Sequence, residues 1–466
     1  MTERLSTGHA RLDEVLNGGI LKNAITLVLG IPGSGKTILC QQVVFHNATK
    51  EKPALYLSTI TEPFDKILRY AESLDFFEAS AVREGRVIYE DLGYALTTEG
   101  LDGVLALLSR FLKEVRPAIV VIDSFRALHA FAKDEGEFRR FLDALTRRLT
   151  AASTSALWID EYSRGEAHDA AEFAVADAII VLDSQQLDDR EIRTLQISKL
   201  RGSAFRSGQH RYRISSQGLD VYPRLADVQD PTGYDLGKKR IETGVGALDE
   251  MLGDGLWPGA STLIVGPTGV GKTLIGLHFL FHGASLGEPG IHATFQENPT
   301  QLGRIVAGFG WDLETPGIHV LSRSLVDVYI DEWVYELLDL AESVRATRIV
   351  IDSLPDLMAA AGDPTRFREW MFSLVQRCTR QGITLLMTLE IPDLYDIRRI
   401  SENALSHLAD NVIVLQYARD ATRVGRMLTV LKTRGSHHEP NVRRYEITAK
   451  GLRLEPAAAG GSSRTT

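Results

Sequence analysis

The chain has 466 residues, 44% hydrophobic and 24% charged, with a formal net charge of -9. That length exceeds one ordinary core and argues for two domains, and the acidic balance gives no global drive toward nucleic acid. No apolar run reaches the length of a membrane span, Met1–Arg11 lacks the apolar stretch of a signal peptide, and Cys40 and Cys378 are too few for a disulfide framework or zinc site, so a cytoplasmic protein is expected.

Taken in order, the chain repeats itself. It opens with Thr7-Gly8-His9-Ala10-Arg11-Leu12-Asp13-Glu14, and Thr243-Gly244-Val245-Gly246-Ala247-Leu248-Asp249-Glu250 restates that pattern. Each opening is followed by an apolar strand, a Gly-rich loop, an amphipathic stretch, an apolar run ending in Asp-Ser, and a late Lys-x-Arg-Gly-Ser. A repeat this long is a duplicated domain. The expected division is residues 1–222, a Pro/Gly/Asp/Lys-rich linker 223–240, a second domain 241–455, and a small, polar, disordered tail 456–466. Runs such as Ala118-Ile119-Val120-Val121-Ile122 read as strands buried on both faces. The expected fold is therefore two tandem α/β domains, each a mostly parallel twisted sheet flanked by helices.

The loops are Gly30-Ile31-Pro32-Gly33-Ser34-Gly35-Lys36-Thr37 and Gly266-Pro267-Thr268-Gly269-Val270-Gly271-Lys272-Thr273. Both match the phosphate-binding pattern, between a strand and a helix, at equivalent places in the repeat. Glycines permit a tight turn whose backbone N–H groups converge on phosphate, and the following helix presents its positive end. Lys36 and Lys272 are expected to reach the β- and γ-phosphates of ATP, with Thr37 and Thr273 as Mg²⁺ ligands. Val120-Val121-Ile122-Asp123-Ser124 and Ile349-Val350-Ile351-Asp352-Ser353 supply the second metal-side carboxylates, Asp123 and Asp352.

These openings, loops and Asp-Ser ends, with Lys199-Leu200-Arg201-Gly202-Ser203, Lys432-Thr433-Arg434-Gly435-Ser436 and Leu405-Ser406-His407-Leu408-Ala409-Asp410, resemble the KaiC branch of the RecA-like ATPases. The resemblance covers nearly the whole chain. It implies two RecA-like P-loop domains in a homohexameric double ring, with ATP between neighbours in both tiers. It places Lys199, Arg201, Lys432 and Arg434, together with His438, near nucleotide. Strand residues two apart share a face, so each Lys-x-Arg pair would point together at a neighbour's nucleotide, or form a solvated basic pair at a strand end.

Three positions depart from the family pattern. Where it has two adjacent glutamates, this chain has Thr61-Glu62 and Gln296-Glu297, leaving Glu62 and Glu297 as candidate catalytic carboxylates or as caps of the helices that follow. Where clock proteins have adjacent Ser and Thr phosphoacceptors, it has Ser406 and His407, with Phe173 and Ala174 in the first half, so serine autophosphorylation belongs to the second half alone. The long tail that receives a regulatory partner in clock proteins is not expected here, nor is a circadian role. The leading reading is a KaiC-like ATPase and serine autokinase acting in signalling or timing, with signalling proteins as partners. A DNA recombination or unwinding motor would want a basic loop or module. Arg139-Arg140 and Arg147-Arg148 lie among Glu135, Glu137 and Asp143 and read as a solvated face. A nucleotide-gated scaffold without turnover is the third alternative.

Overall fold

The computed structural model describes residues 3–59, 64–161, 171–187, 190–225, 237–324, 329–361, 363–391, 408–419 and 424–455. The chain divides into two compact units, Met1–Arg224 and Leu225–Thr466.

The first unit is built on β1 (Ile25–Gly30), β2 (Ala54–Ser58), β3 (Val87–Asp91), β4 (Ile119–Asp123), β5 (Ser155–Asp160), β6 (Ala178–Leu187), β7 (Arg190–Leu200), β8 (His210–Ser215) and β9 (Gly218–Tyr222). They form one nine-stranded sheet in the order β9-β8-β7-β6-β1-β5-β4-β2-β3. Strands β3, β2, β4, β5, β1 and β6 are parallel, and β7, β8 and β9 continue antiparallel. The second unit repeats the plan with β10 (Ser261–Gly266), β11 (Gly290–Thr294), β12 (Ile318–Ser322), β13 (Arg348–Asp352), β14 (Thr384–Glu390), β15 (Asn411–Arg419), β16 (Val424–Thr433), β17 (Arg443–Thr448) and β18 (Gly451–Leu454). Its order, β12-β11-β13-β14-β10-β15-β16-β17-β18, is the same arrangement read from the other edge.

The apolarity of the central parallel strands follows from being covered on both sides. Every residue of β1 is buried. Val28 packs with Leu39, Cys40 and Val43 of the helix Lys36–Asn47 on one face. Leu27 and Leu29 pack on the other with Phe138, Leu142 and Leu145 of the helix Glu135–Ala151. Each such side chain contributes about 1.5–3 kcal/mol by burial. The repeated openings are local locks: the Thr7 amide donates to Asp13 Oδ1 at 2.7 Å and the Thr243 amide to Asp249 Oδ1 at 2.7 Å.

The order places β1 between β5 and β6, and β10 between β14 and β15, where chain connections leave in opposite directions. A crevice opens at the carboxyl ends of parallel strands at such a switch point, and both Gly-rich loops begin there.

Candidate nucleotide sites

In the first unit the loop after β1 turns into the helix Lys36–Asn47 through Gly35, at φ 88°. That backbone angle disfavours a side chain there, and a Cβ would also press on the end of Ile214, with Cδ1 at 2.9 Å. The Lys36 ammonium donates to the carbonyls of Gly30 and Ile31, both at 2.9 Å. Burial pulls Lys36 below its ordinary pKa, opposed by Glu161 and Asp123. Ser34 donates to its own loop at Ile31 O. Thr37 Oγ1 donates to Asp123 Oδ2 at 3.0 Å, and the Tyr56 hydroxyl donates to the same oxygen at 2.6 Å. The cleft is about 520 Å³, lined by Gly33, Gly35, Lys36, Thr37, Ser58, Asp123, Ser124 and Glu161 among others.

The second unit repeats the loop geometry. Gly271 stands at φ 106° before the helix Lys272–Ser285, with Ile447 Cδ1 3.2 Å from where a Cβ would lie. Lys272 donates to Gly266 O and Pro267 O, both at 2.9 Å, and burial lowers its pKa against Glu390 and Asp352. Thr273 Oγ1 donates to Asp352 Oδ2 at 2.6 Å, while Thr388 donates to Oδ1. Thr268 donates to the Glu390 carboxylate, and Gly269 keeps a positive φ of 74°. Val270 is buried, and its carbonyl accepts from Tyr445. A threonine hydroxyl beside a carboxylate is a hard-oxygen pair that fits Mg²⁺ shared with phosphates and water. Both halves have it.

Glu297 follows β11, and its carboxylate accepts from Thr294 Oγ1 at 2.8 Å. The capping alternative fails for it: the helix Pro299–Ala307 is capped by Asn298, in a reciprocal box with Gln301. Gln296 donates to Asp356 Oδ2 at 3.0 Å, and Ser353 donates to that same oxygen. Glu62 and Ser406 lie outside the described residues.

The Lys-x-Arg segments differ from the strand picture. Strand β7 ends at Leu200 and β16 at Thr433, so Arg201 and Arg434 fall just beyond them. Within one chain the cations hold their own preceding segment. Lys199 donates to Phe173 O and Arg201 to Ala174 O, both at 2.9 Å, and Arg201 also reaches Asp177. Lys432 donates to Ala409 O at 2.7 Å, and Arg434 lies 3.7 Å from Asp410. His438 sits beside this segment, 3.2 Å from Thr433 Oγ1.

Sequence reasoning passed over several residues at these clefts. Glu161 Oε1 lies 3.6 Å from Lys36 Nζ, and Glu390 Oε2 lies 3.9 Å from Lys272 Nζ. Tyr212 donates to Ser34 O and Tyr445 to Val270 O, each at 2.6 Å. Both pairs were findable: each glutamate follows its strand-ending aspartate at one fixed spacing, and each tyrosine follows its Lys-x-Arg lysine at another. In the first half Asp160 is fully buried, its Oδ2 has no hydrogen-bond partner among the described residues, and burial raises its pKa to about 7.

A family model described as "ATPase: KaiC" matches residues 5–226 and again 241–459. The chain is 28% identical over 472 residues to a protein named circadian clock oscillator protein KaiC from Picosynechococcus sp., covering 97% of this chain and 90% of that one. It is 26% identical to the protein of the same name from Parathermosynechococcus lividus, over 97% of this chain and 86% of the relative. It is also 26% identical to circadian clock protein KaiC3 of Synechocystis sp., over 97% and 92%.

Proposed function

The chain belongs to the KaiC ATPase family, and from that premise we propose that it binds Mg·ATP at both phosphate loops and hydrolyses it at interfaces between subunits of a homohexamer. The observation that carries this reading is the doubled constellation of caged lysine, threonine hydroxyl and strand-ending carboxylate. Backbone N–H groups of Gly33, Ser34, Gly35 and of Gly269, Val270, Gly271 cradle the phosphates. Lys36 and Lys272 exchange carbonyl partners for β- and γ-phosphate oxygens. Thr37 with Asp123, and Thr273 with Asp352, hold Mg²⁺, which neutralises charge on those oxygens.

In the assembly, Lys199 with Arg201 and Lys432 with Arg434 serve the neighbour's nucleotide and stabilise charge on the transferred phosphoryl group. Ser406 is the acceptor for serine autophosphorylation by second-half ATP, and phosphorylation changes the contacts made with signalling proteins in the cytoplasm. Support for this role is sequence alone: Ser406 has a hydroxyl where the first half has Phe173. Among the described residues no helix is long and apolar enough to cross a membrane.

The test is steady-state phosphate release with Mg·ATP, sizing of the particle with and without nucleotide, and mass spectrometry of the incubated protein. Turnover above background, a nucleotide-dependent hexamer and phosphate at Ser406 are expected. Absence of turnover leaves the scaffold reading. Strong, salt-dependent binding of single-stranded DNA favours the motor.

A further inference from the structure

Each unit sets a glutamate at the end of the strand beside the phosphate-loop strand: Glu161 directly follows β5, and Glu390 is the last residue of β14. The two arise at equivalent places in the duplicated fold, and each brings a carboxylate oxygen within 4 Å of the loop lysine, at 3.6 and 3.9 Å. The lysines are buried, at 7% and 8% exposure, while the glutamates are about half-exposed on the cleft side, at 52% and 46%.

Resting on the ATP-hydrolysing reading above, we propose that Glu161 and Glu390 are catalytic residues that receive the proton of the water attacking the γ-phosphorus. A phosphate-loop lysine holds the γ-phosphate, so a carboxylate this near its ammonium stands a few ångströms from that phosphate. Carboxylate and phosphate oxygens are both acceptors and cannot bond each other directly. A water between them satisfies both, and such a water is placed to attack. The positions where the family pattern expects the first glutamate hold Thr61 and Gln296, neither of which takes up a proton at neutral pH. Glu297 is engaged by Thr294, and the carboxylates that act on Lys272 are Glu390 and Asp352. In the second unit Thr268 of the phosphate loop holds Glu390. In the first unit the matching loop residue is Pro32, which has no hydroxyl, while Arg126 bonds the Glu161 carbonyl at 2.7 Å.

The step balances as follows in each cleft. The water oxygen forms a bond to the γ-phosphorus. The bond from that phosphorus to the bridging oxygen breaks, and its electron pair leaves with ADP. The water's proton passes to the glutamate and then to solvent.

The experiment compares full-length E161Q/E390Q with E62Q/E297Q and wild type. Two readouts are taken: turnover at saturating Mg·ATP, and binding of radiolabelled ATP without Mg²⁺, where no turnover intervenes. A general base contributes about 10²–10⁴-fold. E161Q/E390Q is expected to lose at least about 100-fold in turnover while binding ATP within about tenfold of wild type. Should that variant misfold, E161A/E390A with added formate replaces it, and formate is expected to restore turnover. Turnover within about threefold of wild type, or a loss explained by weaker ATP binding alone, overturns the assignment. So does a large loss confined to E62Q/E297Q. A wild-type protein without hydrolysis overturns the proposed function itself, a result separate from any of these.

Discussion

The two clefts are copies in their frame and differ in what surrounds the aspartate. In the first, Asp123 receives both the Thr37 and the Tyr56 hydroxyls on Oδ2. In the second, His292 occupies the position of Tyr56 at the middle of the corresponding strand. It is buried, and among the described residues neither ring nitrogen has a hydrogen-bond partner. Asp352 instead takes one hydroxyl on each oxygen, from Thr273 and Thr388. Asp160 beneath the first cleft is matched by Leu389 beneath the second, and Asp356 by Ala127 in the first. Duplication preserved the loop, its lysine and the threonine–aspartate pair, while the polar groups around the carboxylates diverged. On the proposed function, the two sites are expected to bind alike and to turn over differently.

The largest effect should come from the lysines. Lys36→Ala and Lys272→Ala each remove the charge proposed to hold the γ-phosphate, and turnover at the altered half should fall about 10²–10³-fold. Phosphate release measured in the two single variants gives each half's share; equal residual rates would break the expected asymmetry.

Next in size is Asp160→Asn. Burial raises the folded-state pKa to about 7 from 3.8. Between those values the folded state holds a proton that the unfolded chain has lost, so stability falls as pH rises through this window and levels off above about 7. Between pH 5 and 8 the wild-type first unit should lose about 2–3 kcal/mol from this group. The asparagine variant should show a flatter pH dependence in urea unfolding, while Leu389 gives the second unit no such term.

Tyr56→Phe removes a hydroxyl bonded to a carboxylate and should cost the first unit about 1–3 kcal/mol, read by hydrogen exchange across β2 and β4 with β11 and β13 unchanged. The smallest effect is expected from Asp356→Ala. It releases the Gln296 amide and should lower second-half turnover by less than about tenfold, in line with one hydrogen bond. Unchanged rates would mean that Gln296 needs no anchoring there.

Much of this was legible in the sequence where chemistry is local. The phosphate loops and Asp123 and Asp352 are fixed by residues adjacent in the chain, and the apolar runs declare buried parallel strands. Strand order is another matter. Glu161 and Glu390 reach the lysines because β5 and β14 lie beside β1 and β10, a placement that no local pattern states. The pairing of Tyr56 with Asp123 depends likewise on β2 lying against β4. The Lys-x-Arg pairs were read as one strand face, but each strand stops between lysine and arginine. Their carbonyl partners come from the segment before β6 or β15, which sequence spacing does not place nearby.

The tyrosine under each phosphate loop has a consequence for how the protein is made. The Ser34 carbonyl receives its bond from Tyr212, 178 residues later in the chain, and Val270 receives its own from Tyr445, 175 residues later. A ribosome that has delivered the loop, its helix and the five strands β1 to β5 has yet to deliver the hydroxyl beneath it, and Ile214 follows later still. Contacts of such long sequence separation form late. Each nucleotide pocket is therefore finished near the end of its own half's synthesis, and the first half can be sealed while the second is still being translated.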